Sequence, residues 1–282
     1  MTSKVWLSEQ VLKLYPRINI GVCSMGNTEN NSGHISFPVW DRTVRAFHWI
    51  NVICLIGLIS LGLIIFFNKD FGVSSEGKIL LKTLHTYIGY IFVFNLSWRI
   101  LWGFIGSPYA RWAAILPFGK GYKKALTDYL QGVRDKRPPP YLGHNPLARL
   151  MITFLFILLT TQAISGLVLA GSDLYLPPFG HEFAEWVIST DSEHQPSELK
   201  AGSKESVDPE AYKEMRAFRK PFGTTHKYGF YLLCLAIIVH IAAVVMSELK
   251  ENNNIISAMF SGKKTFSEKP VDLEVEEAEK NK

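Results

Sequence analysis

The chain has 282 residues, 48% hydrophobic, 13% aromatic and 20% charged, with a mean hydropathy of +0.10. Such averages in one chain mark apolar stretches kept apart from charged ones. Three cysteines with no CxxC pair exclude a disulfide scaffold, a thiolate zinc site, a four-thiolate iron–sulfur cluster and c-type haem attachment, and a dispersed net charge of +5 gives no footprint for nucleic acid.

In chain order, residues 1–37 read as an N-terminal extension of low structural content. It has no apolar core of signal-peptide length, and Met25 is an alternative start. Four apolar runs follow. Trp49 to Phe67 is free of charge, Leu84 to Ile105 is broken only by Arg99, and Leu150 to Leu169 and Tyr228 to Met246 complete the set. Each approaches the roughly 20 residues that a helix needs to cross a hydrocarbon core. All four are apolar nearly all round, unlike the one-sided helices of a soluble bundle. The predicted spans are about 46–67, 82–105, 148–169 and 226–248, within a domain at 38–249.

Loop charge sets the orientation. Gly106 to Arg149 holds eight Lys/Arg against Asp128 and Asp135, whereas Gly171 to Thr225 holds six basic residues against ten acidic ones. Basic connections stay inside. The expected fold is therefore an all-α membrane protein: a four-helix transmembrane bundle with both termini cytoplasmic. A long periplasmic connection, 171–225, would join helices 3 and 4. In that connection, Asp208-Pro209 reads as the start of a short helix through Arg219. Residues 250–282 form a cytoplasmic tail, charged and mobile from Phe266 onward.

Four of the eight histidines lie in or at the edges of spans: His48, His85, His226 and His240. Ionisable groups at that depth are costly and mark function. His226 and His240 are 14 residues apart, about 21 Å along a helix axis and nearly on one face. By helix direction, His48 and His240 fall near the inner surface, and His85 and His226 near the outer one. Two facing imidazole pairs at two depths suit two haem b groups, each with bis-histidine ligation: His48/His240 inside and His85/His226 outside. Those four are the expected metal ligands, and no catalytic residue is expected beyond them. The third span, with no histidine, reads as a packing wall.

Gly62, Gly89 and Gly229 are small positions at the outer haem's level. Arg99 lies 14 residues after His85 and suits an inner propionate, with Arg45, Lys82 and Lys227 as further cationic candidates. The loop residues His34, His144, His181 and His194 read as solvated, with His181 a candidate for the outer mouth. The apolar runs Trp49–Phe67, Leu84–Ile105 and Tyr228–Met246 contain no Asp or Glu, which argues against zinc, di-iron and hydrolase chemistry.

WDRTVRAFHW (Trp40–Trp49), LHTYIGY (Leu84–Tyr90), WRILWGFIGSPYARW (Trp98–Trp112) and GHNPLARLM (Gly143–Met151) resemble the bacterial cytochrome b561 family. That family includes the b-type cytochrome subunit of membrane-bound nickel–iron hydrogenases. The resemblance covers Pro38 to Leu249. It implies a four-helix fold with two b haems ligated from the first, second and fourth helices, and electron transfer involving membrane quinone. The leading expectation is a conduit between ubiquinone or menaquinone and a periplasmic redox protein such as a c-type cytochrome, steered by the acidic outer connection. The alternatives are a superoxide:quinone oxidoreductase, with Arg216, Arg219, Lys220 and Lys227 as an anion funnel, and a membrane-anchor cytochrome b subunit of a hydrogenase or dehydrogenase. Oligomerisation is compatible with all three.

Overall fold

The computed structural model describes residues 35–119, 121–188, 195–196, 199–202, 206–251 and 254–273. Met25, His34 and His194 lie outside them. Four long helices dominate: α1 (Arg42–Phe66), α2 (Ser75–Ile105), α5 (Pro146–Leu174) and α7 (Pro209–Glu251). Shorter α3 (Trp112–Ile115) and α4 (Tyr122–Arg134) bridge α2 to α5, and α6 (Gly180–Val187) follows α5. After α7 come α8 (Ile255–Ser261) and strand β2 (Lys263–Phe266).

Side-chain caps set where these helices begin. Asp41 accepts from Val44 N at 2.7 Å, Ser74 from Gly77 N at 3.0 Å, and Asn145 from Ala148 N at 2.7 Å with Pro146 at the first helical position. All four long helices are long and apolar enough to cross a membrane. The even α1, 25 residues long, spans about 38 Å at 1.5 Å per residue. Phe94 and Ile53 are 76% and 69% exposed on the bundle's outer surface, a disposition that suits lipid rather than water. The helices meet along a seam of Cys54, Phe92, Leu96, Leu158, Leu159, Ala163, Leu233 and Ala236.

Strand β1 (Ile35–Pro38) pairs antiparallel with β2, Ile35 opposite Phe266 and Pro38 opposite Lys263. The amides of Val39 and Trp40 both donate to Gly262 O, at 2.8 and 3.2 Å. Gly262 holds φ +80°, and a Cβ there would sit 2.7 Å from Trp40 O, so only glycine turns the chain at this point. The two described chain ends thus meet at one end of the bundle, the sheet end. The α5–α7 connection occupies the other, the loop end.

Three sequence expectations change. Residues 255–273 are folded onto the bundle, with Phe266 only 4% exposed and the Asp272 carboxylate accepting from Leu142 N and Gly143 N, both at 2.7 Å. A four-residue strand paired with a segment more than 200 residues away leaves no local periodicity to read. The expected short helix from Pro209 is continuous with the fourth span, running through Pro221 although that residue cannot donate to Ala217 O. Helix α2 starts at Ser74–Ser75, well before Lys82, because Ser74 caps it ahead of the apolar run.

Asp41 ties several of these parts together. Besides capping α1, it accepts from Trp102 Nε1 at 3.0 Å and Ser107 Oγ at 2.6 Å. Burial pushes its carboxyl up, but the hydrogen bonds from Ser107, Val44 N and Trp102 outweigh burial and hold it below its usual 3.8. A depressed carboxyl stabilises the fold above its unfolded pKa, and that contribution is lost as pH falls through the folded value. Asp41→Ala is expected to cost about 2 kcal/mol through the lost cap and orphaned donors. Thermal melts in detergent micelles at pH 7 should show the loss, and the gap to the parent should narrow as pH falls from about 4 through the lower folded value, where the parent's carboxyl protonates.

Candidate haem-binding site

At the loop end, His85 on α2 faces His226 on α7 with ring centres 6.3 Å apart and planes at 73°. Each ring is backed by a glycine of another helix. A Cβ on Gly62 of α1 would lie 3.6 Å from His85 Cε1, and one on Gly166 of α5 would lie 3.3 Å from His226 Cε1. Ser165, 2% exposed, gives its proton to Thr161 O at 2.7 Å and stands 3.0 Å from His226 Nδ1. A hydroxyl whose one proton is spent accepts, so His226 Nδ1–H donates to Ser165 Oγ and the Nε2 lone pair is left for a metal.

Around this couple lies a cavity of about 800 Å³, within the range that encloses a cofactor-sized molecule. Gly62, Gly89, Gly166 and Gly223 line it; Gly89 has open space where a side chain would project. Lys82, Arg216, Arg219, Lys220 and Lys227 bring positive charge to the lining, and Asp173 accepts from both Lys82 and Arg219. Gly229 has a different role from the one expected. Its missing side chain makes room for Gln162, whose Nε2 donates to His226 O at 3.1 Å. His181 is exposed, pairs with Glu185 at 3.2 Å, and is not among the cavity-lining residues.

At the sheet end, His48 of α1 and His240 of α7 are close enough to interact electrostatically, and His48 Nδ1 is buried without a hydrogen bond. Arg99, 3% exposed, donates to Ala110 O at 3.0 Å and lies within 5.5–5.9 Å of the Phe47, Trp112 and Phe156 ring centres. Its Nη1 is buried and unbonded. Arg45 reaches Phe260 O through one guanidinium nitrogen while its Nε has no partner.

His144, expected in solvent, instead packs on Trp40 with ring centres 4.6 Å apart, its Nδ1 buried and unbonded. Burial, then the charges of Lys264, Arg99 and Arg149, push it down to about 3, so it is neutral at any physiological pH. It was overlooked because a histidine just before a helix cap looks like surface, and the residues that cover it are remote in sequence. Ser165 and Gly166 escaped for a related reason: small residues in an apolar span ordinarily signal helix packing.

The prokaryotic cytochrome b561 family model matches residues 39–262. The chain belongs to that family. It is accordingly a multi-pass protein of the bacterial inner membrane and an electron-transport cytochrome of the b type, the class that holds haem b. A probable Ni/Fe-hydrogenase B-type cytochrome subunit of Rhizobium leguminosarum bv. viciae is 27% identical, covering 83% of this chain and 91% of the relative. Similar proteins of that description occur in Cupriavidus necator (24%; 82% and 87%) and, as the hydrogenase 1 subunit, in Escherichia coli K12 (25%; 81% and 90%). No solved structure matches.

The loop-end couple fits a haem of this cytochrome. Two metal–nitrogen bonds of about 2 Å, plus the distance from each ring nitrogen to its ring centre, sum to about 6 Å; the observed separation is 6.3 Å. Among the described residues no three His, Cys, Asp or Glu side chains converge as a metal cage. A metal held by these two imidazoles would need its remaining coordination from a group such as a macrocycle.

Two substitutions test the backing of the rings. Gly62→Ala adds only an ordinary contact and should retain the parent's haem spectrum, whereas Gly166→Leu should drive His226 aside and reduce the α-band. Ser165→Ala should weaken haem retention about 10–100-fold, the usual scale for losing a ligand-orienting hydrogen bond. Competition with apomyoglobin measures it.

Proposed function

We infer that this protein is a di-haem cytochrome b that anchors a hydrogenase-type complex in the membrane and passes its electrons to quinone. The observation that carries this reading is the His85–His226 couple at 6.3 Å inside a cofactor-sized cavity, with His226 oriented by Ser165. His48 and His240 would hold the second haem, one ligand per couple coming from α7, with 14 residues between them and hence about 21 Å of axial separation. Two haems at that spacing divide a membrane of about 30 Å into short steps. Held by two imidazoles, a haem would supply one-electron transfer with no position left open for oxygen.

The chain's own residues supply position, dryness and charge. Gly62 and Gly166 set the depth of the rings, and Leu55, Leu58, Phe92 and Leu233 keep the loop-end cavity apolar. Arg45 and Arg99 would serve the sheet-end haem, and Gly89 and the basic lining of the cavity the loop-end one. Loop charges favour a cytoplasmic sheet end, and the partner would then deliver electrons at the periplasmic loop end. The named relatives favour a hydrogenase-type partner over the c-type cytochrome that the acidic connection first suggested. Ubiquinone or menaquinone is the acceptor that a membrane-embedded cytochrome can reach laterally.

One observation favours a second reading. Arg216, Arg219 and Lys220 all line the loop-end cavity, as an anion funnel for superoxide would require. Rapid mixing with superoxide decides: reduction of oxidised haem at rates far above a haem-free control supports it, and none dismisses it.

For the main reading, the pyridine haemochromogen assay should give two haem b per chain, and quinol should exchange electrons with them. His85→Ala and His240→Ala should each keep one haem, with different spectra. A folded preparation with no haem, or one that loses both haems on either substitution, would overturn the assignment.

A further inference from the structure

The sheet end contains more donors than the chain itself satisfies. Trp40 Nε1, Arg45 Nε, Arg99 Nη1 and His144 Nδ1 are all buried without a hydrogen bond. They come from three separate segments, and β2 adds a fourth. Lys264, 4% exposed, donates to Gly143 O at 2.9 Å and has its ammonium 5.5 Å from the Trp40 ring centre. Trp40 in turn packs on His144, and the Gly262 turn that leads into β2 lies against the Arg45 guanidinium.

The nearby carboxylates are already engaged. Asp41 serves Val44 N, Trp102 and Ser107, and Asp272 serves Leu142 N and Gly143 N. Among the described residues no ion pair reaches Arg45 or Arg99. Buried cations and donors without acceptors are strongly unfavourable, so a cluster of them beside a cofactor site calls for an anionic ligand.

We propose that Trp40, His144 and Lys264, together with Arg45 and Arg99, form a pocket for carboxylate oxygens at the sheet end, which the C-terminal strand completes by carrying in Lys264. Resting on the di-haem reading, the proposal assigns those oxygens to the propionates of the haem on His48 and His240. Arg99 and Arg45 approach from the bundle, Trp40 and, in its Nδ1–H tautomer, neutral His144 offer directional donors, and Lys264 closes the pocket from the cytoplasmic side. The inner haem is then held by chain segments lying before, between and after the four spans. A phosphate, free or on a lipid headgroup, has the same acceptor chemistry, and the test separates the two.

The test uses full-length protein in detergent on a His85→Ala background, where a single haem remains. Potentiometric titration of that haem is compared with the same protein carrying Lys264→Gln or Arg99→Gln. Loss of a positive charge beside the propionates disfavours the reduced, more negative form. The midpoint potential should therefore fall in both variants, with a changed dependence on pH. On a His240→Ala background, which keeps the loop-end haem, Lys264→Gln should change nothing.

A chain ending at Glu251 should lose the sheet-end haem while retaining the loop-end one. An unmoved potential and pH profile in Lys264→Gln, with haem fully bound, would overturn the pocket. So would an equal shift of the loop-end haem. Binding of inorganic phosphate that Lys264→Gln abolishes, with the potential unmoved, would assign the pocket to another anion and overturn the propionate assignment. Absence of haem from the parent protein would instead sink the di-haem reading itself.

Discussion

Bringing two imidazoles opposite each other inside an apolar bundle is the constraint that orders the rest of this structure. An uncompensated polar ring is expensive in hydrocarbon, and a ring free to rotate is a poor ligand. The bundle removes that freedom with very little chemistry. A glycine behind His85, a glycine behind His226 and one serine hydroxyl fix the loop-end pair at 6.3 Å. Helix α5, with no histidine of its own, supplies Ser165, Gly166 and Gln162 and so decides how the ring on α7 is presented. Its role extends well past that of a wall.

The two ends of the bundle meet the same requirement differently. At the loop end, neighbouring transmembrane helices leave an apolar cavity with a basic lining, and Asp173 draws Lys82 of α2 and Arg219 of α7 to the end of α5. At the sheet end the helices alone do not suffice. The segment before α1, the turn before α5 and the chain after α7 converge there, fastened by β1–β2 pairing and by Asp272 on the Leu142 and Gly143 amides. That end faces water in the proposed orientation, so irregular backbone is tolerated and can be hydrogen-bonded. In the apolar interior only helices, glycines and short polar side chains were available.

The parts legible in the sequence were those governed by local periodicity or by strong cost. Four apolar runs set the helices, and histidines at membrane depth stood out because hydrocarbon penalises them; the pairing of His85 with His226 followed from helix direction. Helix ends were less legible. Charged residues such as Lys82 looked like boundaries, although Ser74 caps α2 well ahead of it. Contacts between remote segments were not legible at all. Nothing near Lys264 signals that its strand pairs with residues 35–38, and nothing near His144 signals that Trp40 covers it. Gly229 was misread for the converse reason, since spacing from His226 put it at the correct level but could not reveal that Gln162 fills the space.

Helix α7 links these observations. It contains one histidine of each proposed couple, and its 43 residues run from the α6 platform at the loop end to the turn that leads into α8. Met215, 0% exposed, and Phe222 of its outer portion pack with Phe183 and Val187 of α6, so the portion that projects beyond the bundle is itself anchored. A continuous helix held at both ends cannot rotate one histidine without turning the other, because 14 residues of hydrogen-bonded backbone join them. The geometry of the two proposed haem sites is therefore set jointly. A partner that docks on the projecting part of α7 would bear on a rod whose orientation both sites share.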